Sequence, residues 1–193
     1  QCTVFNGNIS SWDTSNVASM FAIFYAASSF NQDISGWDVS NVTNMSGVFN
    51  GASSFNINIS QWDTSKAKSM SAMFASTTFN QDIGNWDVSG AFNFWNMFLN
   101  ATSFDQDLSS WRPILGSSTQ NFMGGVTLST ANYDALLIGW SAAMEAEYPG
   151  GAGYTLTPSW SFGNSVHTTG GAAELAKNNL INTFNWTITD GNP

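Results

Sequence analysis

At 193 residues the chain has room for one ordinary domain or a short array of units with an end piece. Only 9% of it is charged, and four basic residues (Lys66, Lys68, Arg112 and Lys177) face thirteen acids, for a net charge of -9. That balance argues against nucleic acid and against an anionic membrane surface, since both need a basic stripe.

Nine Trp and fifteen Phe supply the apolar surface that disordered chains lack. No apolar run approaches the roughly 18 residues of a transmembrane helix, so no membrane insertion is expected of this segment. No signal peptide is visible. An acidic, Lys-poor chain rich in Asn, Ser and Thr reads as extracellular, at a cell surface. Asn-x-Ser/Thr sequons at Asn8, Asn41, Asn44, Asn58, Asn100 and Asn185 arise by chance in such a composition and matter only in a eukaryotic secretory pathway.

The string Phe-Asn-x-(Asn/Asp)-Ile-x-x-Trp-Asp recurs at Phe5–Asp13, Phe30–Asp38, Phe55–Asp63 and Phe79–Asp87, with a worn copy at Phe104–Arg112. Its tryptophans, Trp12, Trp37, Trp62, Trp86 and Trp111, are 25, 25, 24 and 25 residues apart. A fixed period of this size predicts a solenoid, in which each coil buries its apolar face against the next. Solenoids mostly present surfaces, which argues against an enzyme.

Within one unit, Phe30 and Ile34 fall four apart in a short extended segment, so a strand would put both on one face. Val42, Met45 and Phe49 follow at i, i+3 and i+7, the core spacing of a helix, with Ser40 placed to cap it and Asn50-Gly51 to stop it. Val17/Met20/Phe24, Ala67/Met70/Phe74 and Ala91/Phe94/Phe98 repeat the pattern. The fold expected is therefore an α/β solenoid of about five strand-turn-short-helix coils. The Met and Phe stripes read as core, and the five tryptophans as a structural ladder. The alternative for the tryptophans is partial exposure as a stacking platform.

Cys2 stands in the register of Ala27, Ala52 and Ala101, which reads as a small core residue rather than a metal ligand or disulfide partner. It also places the start of the chain in mid-repeat. Further coils or domains are expected on both sides of this segment.

Two polar columns flank the Phe rung. One holds Asn6, Asn31, Asn56, Asn80 and Asp105, and the other Asn8, Asp33, Asn58, Asp82 and Asp107. Strand alternation would point both outward, on rungs about 5 Å apart. Acids and amides in a row suit sugar hydroxyls or Ca²⁺, which makes Asn8, Asp33, Asn58, Asp82, Asp107, Asn31 and Asn80 the candidate ligand-binding residues. Asp82 and Asp107 are the candidate Ca²⁺ pair, and no other cofactor is expected. The alternative is that these groups bond the backbones of adjacent coils and serve the fold. Asp13, Asp38, Asp63 and Asp87 read as caps of the turns that follow them.

The pattern breaks at Arg112-Pro113, which divides the chain into a repeat region, 1–125, and a C-terminal unit, 126–193. Ser129-Thr130 opens an amphipathic helix through Trp140, and Pro149-Gly150-Gly151 stops it. Residues 154–162 read as a strand, 171–183 as a second helix and 185–190 as a last strand. Such a unit would act as an α/β cap over the last open core face. Its single histidine, His167, lies in a Ser/Thr/Gly loop and reads as solvent-exposed, while Glu145 and Glu147 read as a solvated face. No Ser-His-Asp order, phosphate loop or metal-ligand spacing appears, so no catalysis is expected.

The run Trp37-Asp38-Val39-Ser40-Asn41-Val42-Thr43-Asn44-Met45, followed by Phe49-Asn50-Gly51-Ala52-Ser53-Ser54-Phe55, resembles the BspA-type leucine-rich repeats of bacterial surface proteins. The resemblance covers about residues 1–112. Residues 128–137 and 186–191 are similar to the end unit that follows such repeats in bacteroidete surface proteins. The resemblance implies a right-handed α/β LRR-like solenoid at a cell surface, a module for adhesion or recognition carrying no catalytic residues. The expected function is non-enzymatic binding of a glycan or a protein on another surface, through a polar face. A structural spacer or fibre-forming subunit is the alternative. Ice binding is a weaker one, because Thr14 and Thr64 are answered by Val39 and Val88 rather than by a regular Thr array.

Overall fold

The computed structural model describes residues 3–113 and 118–191. Its regular elements are helix α1 (Thr130–Glu147), a 3-10 turn (Pro149–Gly151), strand β1 (Ser159–Ser161), helix α2 (Ala172–Asn182) and strand β2 (Thr187–Thr189). β1 and β2 pair in parallel, with Trp160 opposite Ile188.

This overturns the expected right-handed α/β leucine-rich-repeat-like solenoid of about five strand-turn-short-helix coils. Among the described residues both α-helices and both strands lie beyond residue 129. The repeat units before it are turns and irregular chain, in which the pairing amounts to single parallel bridges, Ser19–Asn44, Asn44–Ser69, Ser69–Asn93 and Asn93–Ser118.

The reason lies in where the backbone N–H groups go. A helix over residues 17–24 would send each N–H to the carbonyl four residues back. Instead the N–H groups of Ala22, Phe24 and Ala26 donate to the carbonyls of Ser46, Val48 and Asn50 in the next unit, at 2.9, 3.0 and 2.7 Å. The residues between them turn back three positions, as in Ile23 N–H to the Met20 carbonyl. Every fourth residue is left-handed: Ala22 and Ala26, Gly47 and Gly51, Ala72 and Ser76, Asn96 and Asn100. A left-handed residue ends a right-handed helix, so the i, i+3, i+7 spacing marks inward corners of a turning chain. Ser40 accordingly caps no helix; its N–H donates to Asp38 Oδ1 at 3.0 Å.

The expected strand fails for a different reason. At the Phe-Asn segments a side chain replaces the backbone partner. Asn31 N–H donates to Asn6 Oδ1 and Asn56 N–H to Asn31 Oδ1, both at 3.0 Å.

The apolar pattern still sorts inside from outside. Phe30, Ile34, Met45, Phe49, Phe55, Met70 and Phe74 are fully buried. Within a unit the two Phe rings stack closely, with centroids 3.8 Å apart for Phe24–Phe30 and 3.7 Å for Phe49–Phe55. Between units the same column continues at 5.8 Å, as in Phe24–Phe49. Such pairs each add about 0.5–1.5 kcal/mol beyond area burial. Ala27, Ala52 and Ala101 are buried; Cys2, expected in their register, lies outside the described residues.

The C-terminal segment lies against the last repeat. Ser129 caps α1 by accepting the Asn132 N–H, and the helix buries Tyr133, Leu136, Leu137, Trp140, Ser141 and Met144 at helical spacing. Gly139 permits the approach, since a Cβ there would stand 2.2 Å from the Ser109 carbonyl oxygen. α2 packs on α1, where Asn179 Nδ2 donates to Ser141 Oγ and Glu145 Oε1, both at 3.0 Å, and it buries Ala173, Ala176 and Leu180.

Candidate functional site

The two polar columns make different bonds. In the first, each amide oxygen takes the backbone N–H of the equivalent residue one unit on. Asn56 Oδ1 accepts from Asn80 N–H at 2.9 Å, and Asn80 Oδ1 from Asp105 N–H at 2.8 Å. Gln32, Gln81 and Gln106 add side-chain donors to Asn6, Asn56 and Asn80 at 2.9, 3.1 and 2.9 Å. Asp105 ends the column by accepting from Ser129 N–H and Asn132 Nδ2, both at 2.8 Å. Burial raises the Asp105 pKa, but the bonds from Ser129 and Asn132 outweigh it and leave the carboxyl below its ordinary range. The side-chain oxygens of Asn31 and Asn80 are thus spent on neighbouring units.

The second column turns inward on itself. Asn8, Asp33, Asn58, Asp82 and Asp107 each accept the N–H two residues on, from Ser10, Ser35, Ser60, Gly84 and Ser109, at 3.0, 3.0, 2.9, 2.9 and 2.8 Å. These are Asx turns, set by an Asn or Asp two places before a Ser or Gly. All five residues are exposed. Among the described residues none of them bonds to another unit. Asp33, Ser35, Ile57, Asn58 and Gln61 border a shallow depression of about 460 Å³.

Asp13, Asp38, Asp63 and Asp87 form a parallel set of Asx turns with Ser15, Ser40, Ser65 and Ser89, at 3.1, 3.0, 3.0 and 2.9 Å. Bonds from the serine hydroxyl and then the serine N–H hold Asp13, Asp33, Asp38 and Asp63 below the ordinary carboxylate range.

Asp82 and Asp107, the candidate Ca²⁺ pair, each commit one oxygen to their own turn. Among the described residues no three His, Cys, Asp or Glu side chains converge as a metal site.

The tryptophans divide. Trp37, Trp62, Trp86 and Trp111 are buried, and their indole N–H groups donate to the carbonyls of Ile9, Ile34, Ile59 and Ile83 at 3.0–3.2 Å. Trp12 is 60% exposed and stacks on Trp37 at 6.2 Å. With Phe5, Val17, Met20 and Phe24 it borders an apolar hollow of about 370 Å³.

His167 corrects the expectation of an exposed loop residue. It is 5% exposed, with Nδ1 3.1 Å from the Thr168 carbonyl and Nε2 3.3 Å from Lys177 Nζ. Lys177 also pairs with Asp190 at 2.8 Å, and Tyr133 donates to Asp190 at 2.6 Å. Burial, then the bond and charge of Asp190, push the Tyr133 hydroxyl pKa well above its ordinary value. This cluster ties α1, α2 and the end of β2 together. Glu145 is likewise held rather than merely solvated, accepting from Gly150 N–H at 2.9 Å and Asn179 Nδ2 at 3.0 Å.

Sequence reasoning passed over Trp95. Its register holds Phe21, Ser46 and Ser71 in the preceding units, and that variability within a repeat was the available signal. Among the described residues no helix is long and apolar enough to cross a membrane.

The family described as Mycoplasma protein of unknown function, DUF285, matches residues 1–78 and again residues 34–126. Together the matches span more than half of the chain, and the chain belongs to that family. No curated protein and no solved structure matches it.

Proposed function

We infer that the chain is a non-enzymatic recognition module of an extracellular surface protein, within the BspA-type subgroup of repeats. It takes a glycan or a protein on another surface as its ligand. The observation that carries this reading is the second column: Asn8, Asp33, Asn58, Asp82 and Asp107 are exposed, pre-oriented by their own turns and bonded to no neighbouring unit. A row of held acceptors costs little ordering entropy on binding. Calcium bridging Asp82 and Asp107 to sugar hydroxyls is part of the proposal.

The test is a glycan array probed with the chain in calcium and again in chelator, alongside Asp33→Asn, Asp82→Asn and Asp107→Asn. Saturable binding lost in these variants, at unchanged melting temperature, supports the column. Binding indifferent to all three removes it.

A second reading, a spacer or fibre-forming element, draws on the apolar hollow at Trp12 and Phe24, beside exposed Val4, Phe21 and Ile23. It predicts concentration-dependent polymers in solution scattering, and a monomer at every concentration rejects it.

A further inference from the structure

Trp95 stands at a variable register of the repeat. The equivalent residues of the preceding units are Phe21, Ser46 and Ser71, so the fold accepts a serine there. Trp95 is 46% exposed. Among the described residues its ring stacks on no other, and its indole N–H donates to none. Its backbone is nevertheless fixed: the N–H donates to Asn93 Oδ1 at 3.2 Å, and the carbonyl accepts from Ala72 N–H at 2.8 Å.

This indole forms one wall of a groove of about 340 Å³. Ser118 and Gln120 lie on the floor, and Thr157, Pro158 and Ser159 form the far wall. That wall is also held, since Thr119 Oγ1 donates to the Ser159 carbonyl at 2.8 Å and Thr187 N–H to the Pro158 carbonyl at 3.0 Å. Two rungs separate the walls, which makes the opening about 10 Å wide.

The side chains of Ser118, Gln120, Thr157 and Ser159 bond to no other protein group among the described residues. Elsewhere on the same ladder Ser46 Oγ and Ser69 Oγ bond each other at 2.7 Å. Among the described residues no ionisable one lines the groove.

We propose that this groove is a subsite for a neutral saccharide, with the ring stacked on Trp95 and its hydroxyls taken by Gln120, Ser118, Thr157 and Ser159. A sugar ring has an apolar C–H face and a polar rim, which is the division of this groove into one aromatic wall and uncharged donors and acceptors. The uncharged lining and the net charge of -9 disfavour anionic sugars. The proposal rests on the recognition reading above and gives it a second, independent place of contact.

The test is titration of the whole chain with neutral oligosaccharides (cello-, chito-, manno-, xylo- and malto-series) and with sialyllactose as the anionic control. The variants are Trp95→Ser, which installs the residue of the two preceding units, Gln120→Ala and Asp33→Asn. The expected result is binding of at least one neutral series. Affinity should fall about tenfold or more in Trp95→Ser and measurably in Gln120→Ala, with melting temperature constant throughout. Sugar binding that survives Trp95→Ser but is lost in Asp33→Asn overturns this subsite and leaves the recognition reading standing. Preference for sialyllactose also overturns the subsite. Failure of every saccharide overturns the subsite and glycan recognition together.

Discussion

Trp140 Nε1 donates to the Leu108 carbonyl at 2.9 Å. Leu108 occupies the register of Ile9, Ile34, Ile59 and Ile83, whose carbonyls accept from Trp37, Trp62, Trp86 and Trp111. A tryptophan from helix α1 therefore supplies the bond that a following repeat would have made. Ser129 and Asn132 do the same for the polar column at Asp105. Trp140→Phe should keep most of the packing but leave the Leu108 carbonyl with the Trp111 N–H alone as donor, at a cost of about 0.5–1.5 kcal/mol in urea unfolding. Trp140→Ala should cost about 3–5 kcal/mol through the added cavity.

The two polar columns should separate by stability. Asn80→Ala removes the acceptor for the half-buried Asp105 N–H, leaving Gln106 only the Asn80 carbonyl, and should cost about 1–3 kcal/mol. Asp33→Asn and Asp107→Asn keep an Asx-turn oxygen at an exposed site and should change stability by less than about 0.5 kcal/mol. Parallel denaturant curves decide it: equal losses in both columns would contradict the division.

Left-handed alanines should be improvable. Ala72 has φ 52, where the equivalent residue of the preceding unit is Gly47 with φ 64. An L-residue there pays about 1–2 kcal/mol, offset in part by the larger chain entropy glycine loses on folding. Ala72→Gly should therefore raise stability by up to about 1 kcal/mol, read as a higher urea midpoint at unchanged slope.

Stability should fall at both ends of the pH range. Asp13, Asp33, Asp38, Asp63 and Asp105 have folded pKa values below their ordinary ones. Their contribution is present above about pH 4 and lost as pH falls through the folded values. Tyr133 is shifted the other way, upward by burial and Asp190, so its contribution is present below about pH 10 and lost as pH rises further. Melting temperature measured from pH 2 to 11 should show a plateau between these arms. Tyr133→Phe should flatten the alkaline one, and an unchanged alkaline arm would refute the assignment.

The sequence by itself determined the period, the inside and the ends. The 25-residue spacing, the burial of Phe30, Ile34, Met45 and Phe49, and the helices that became α1 and α2 follow from apolar placement and capping, which act locally. The strand-turn-short-helix coil did not survive, because i, i+3, i+7 spacing records only that three side chains face inward. It does not say whether their N–H groups bond within the segment or to the next unit. That choice was tertiary, made by left-handed residues such as Ala22 and Ala26 and by Asn side chains standing in for backbone. Likewise both polar columns could be read as outward, yet only contact between units showed that Asn31 and Asn80 are spent there while Asp33 and Asp107 are not. The groove at Trp95 is tertiary too: its far wall comes from residues 157–159, some sixty positions away, brought alongside because β1 takes up the pairing that the last repeat leaves open.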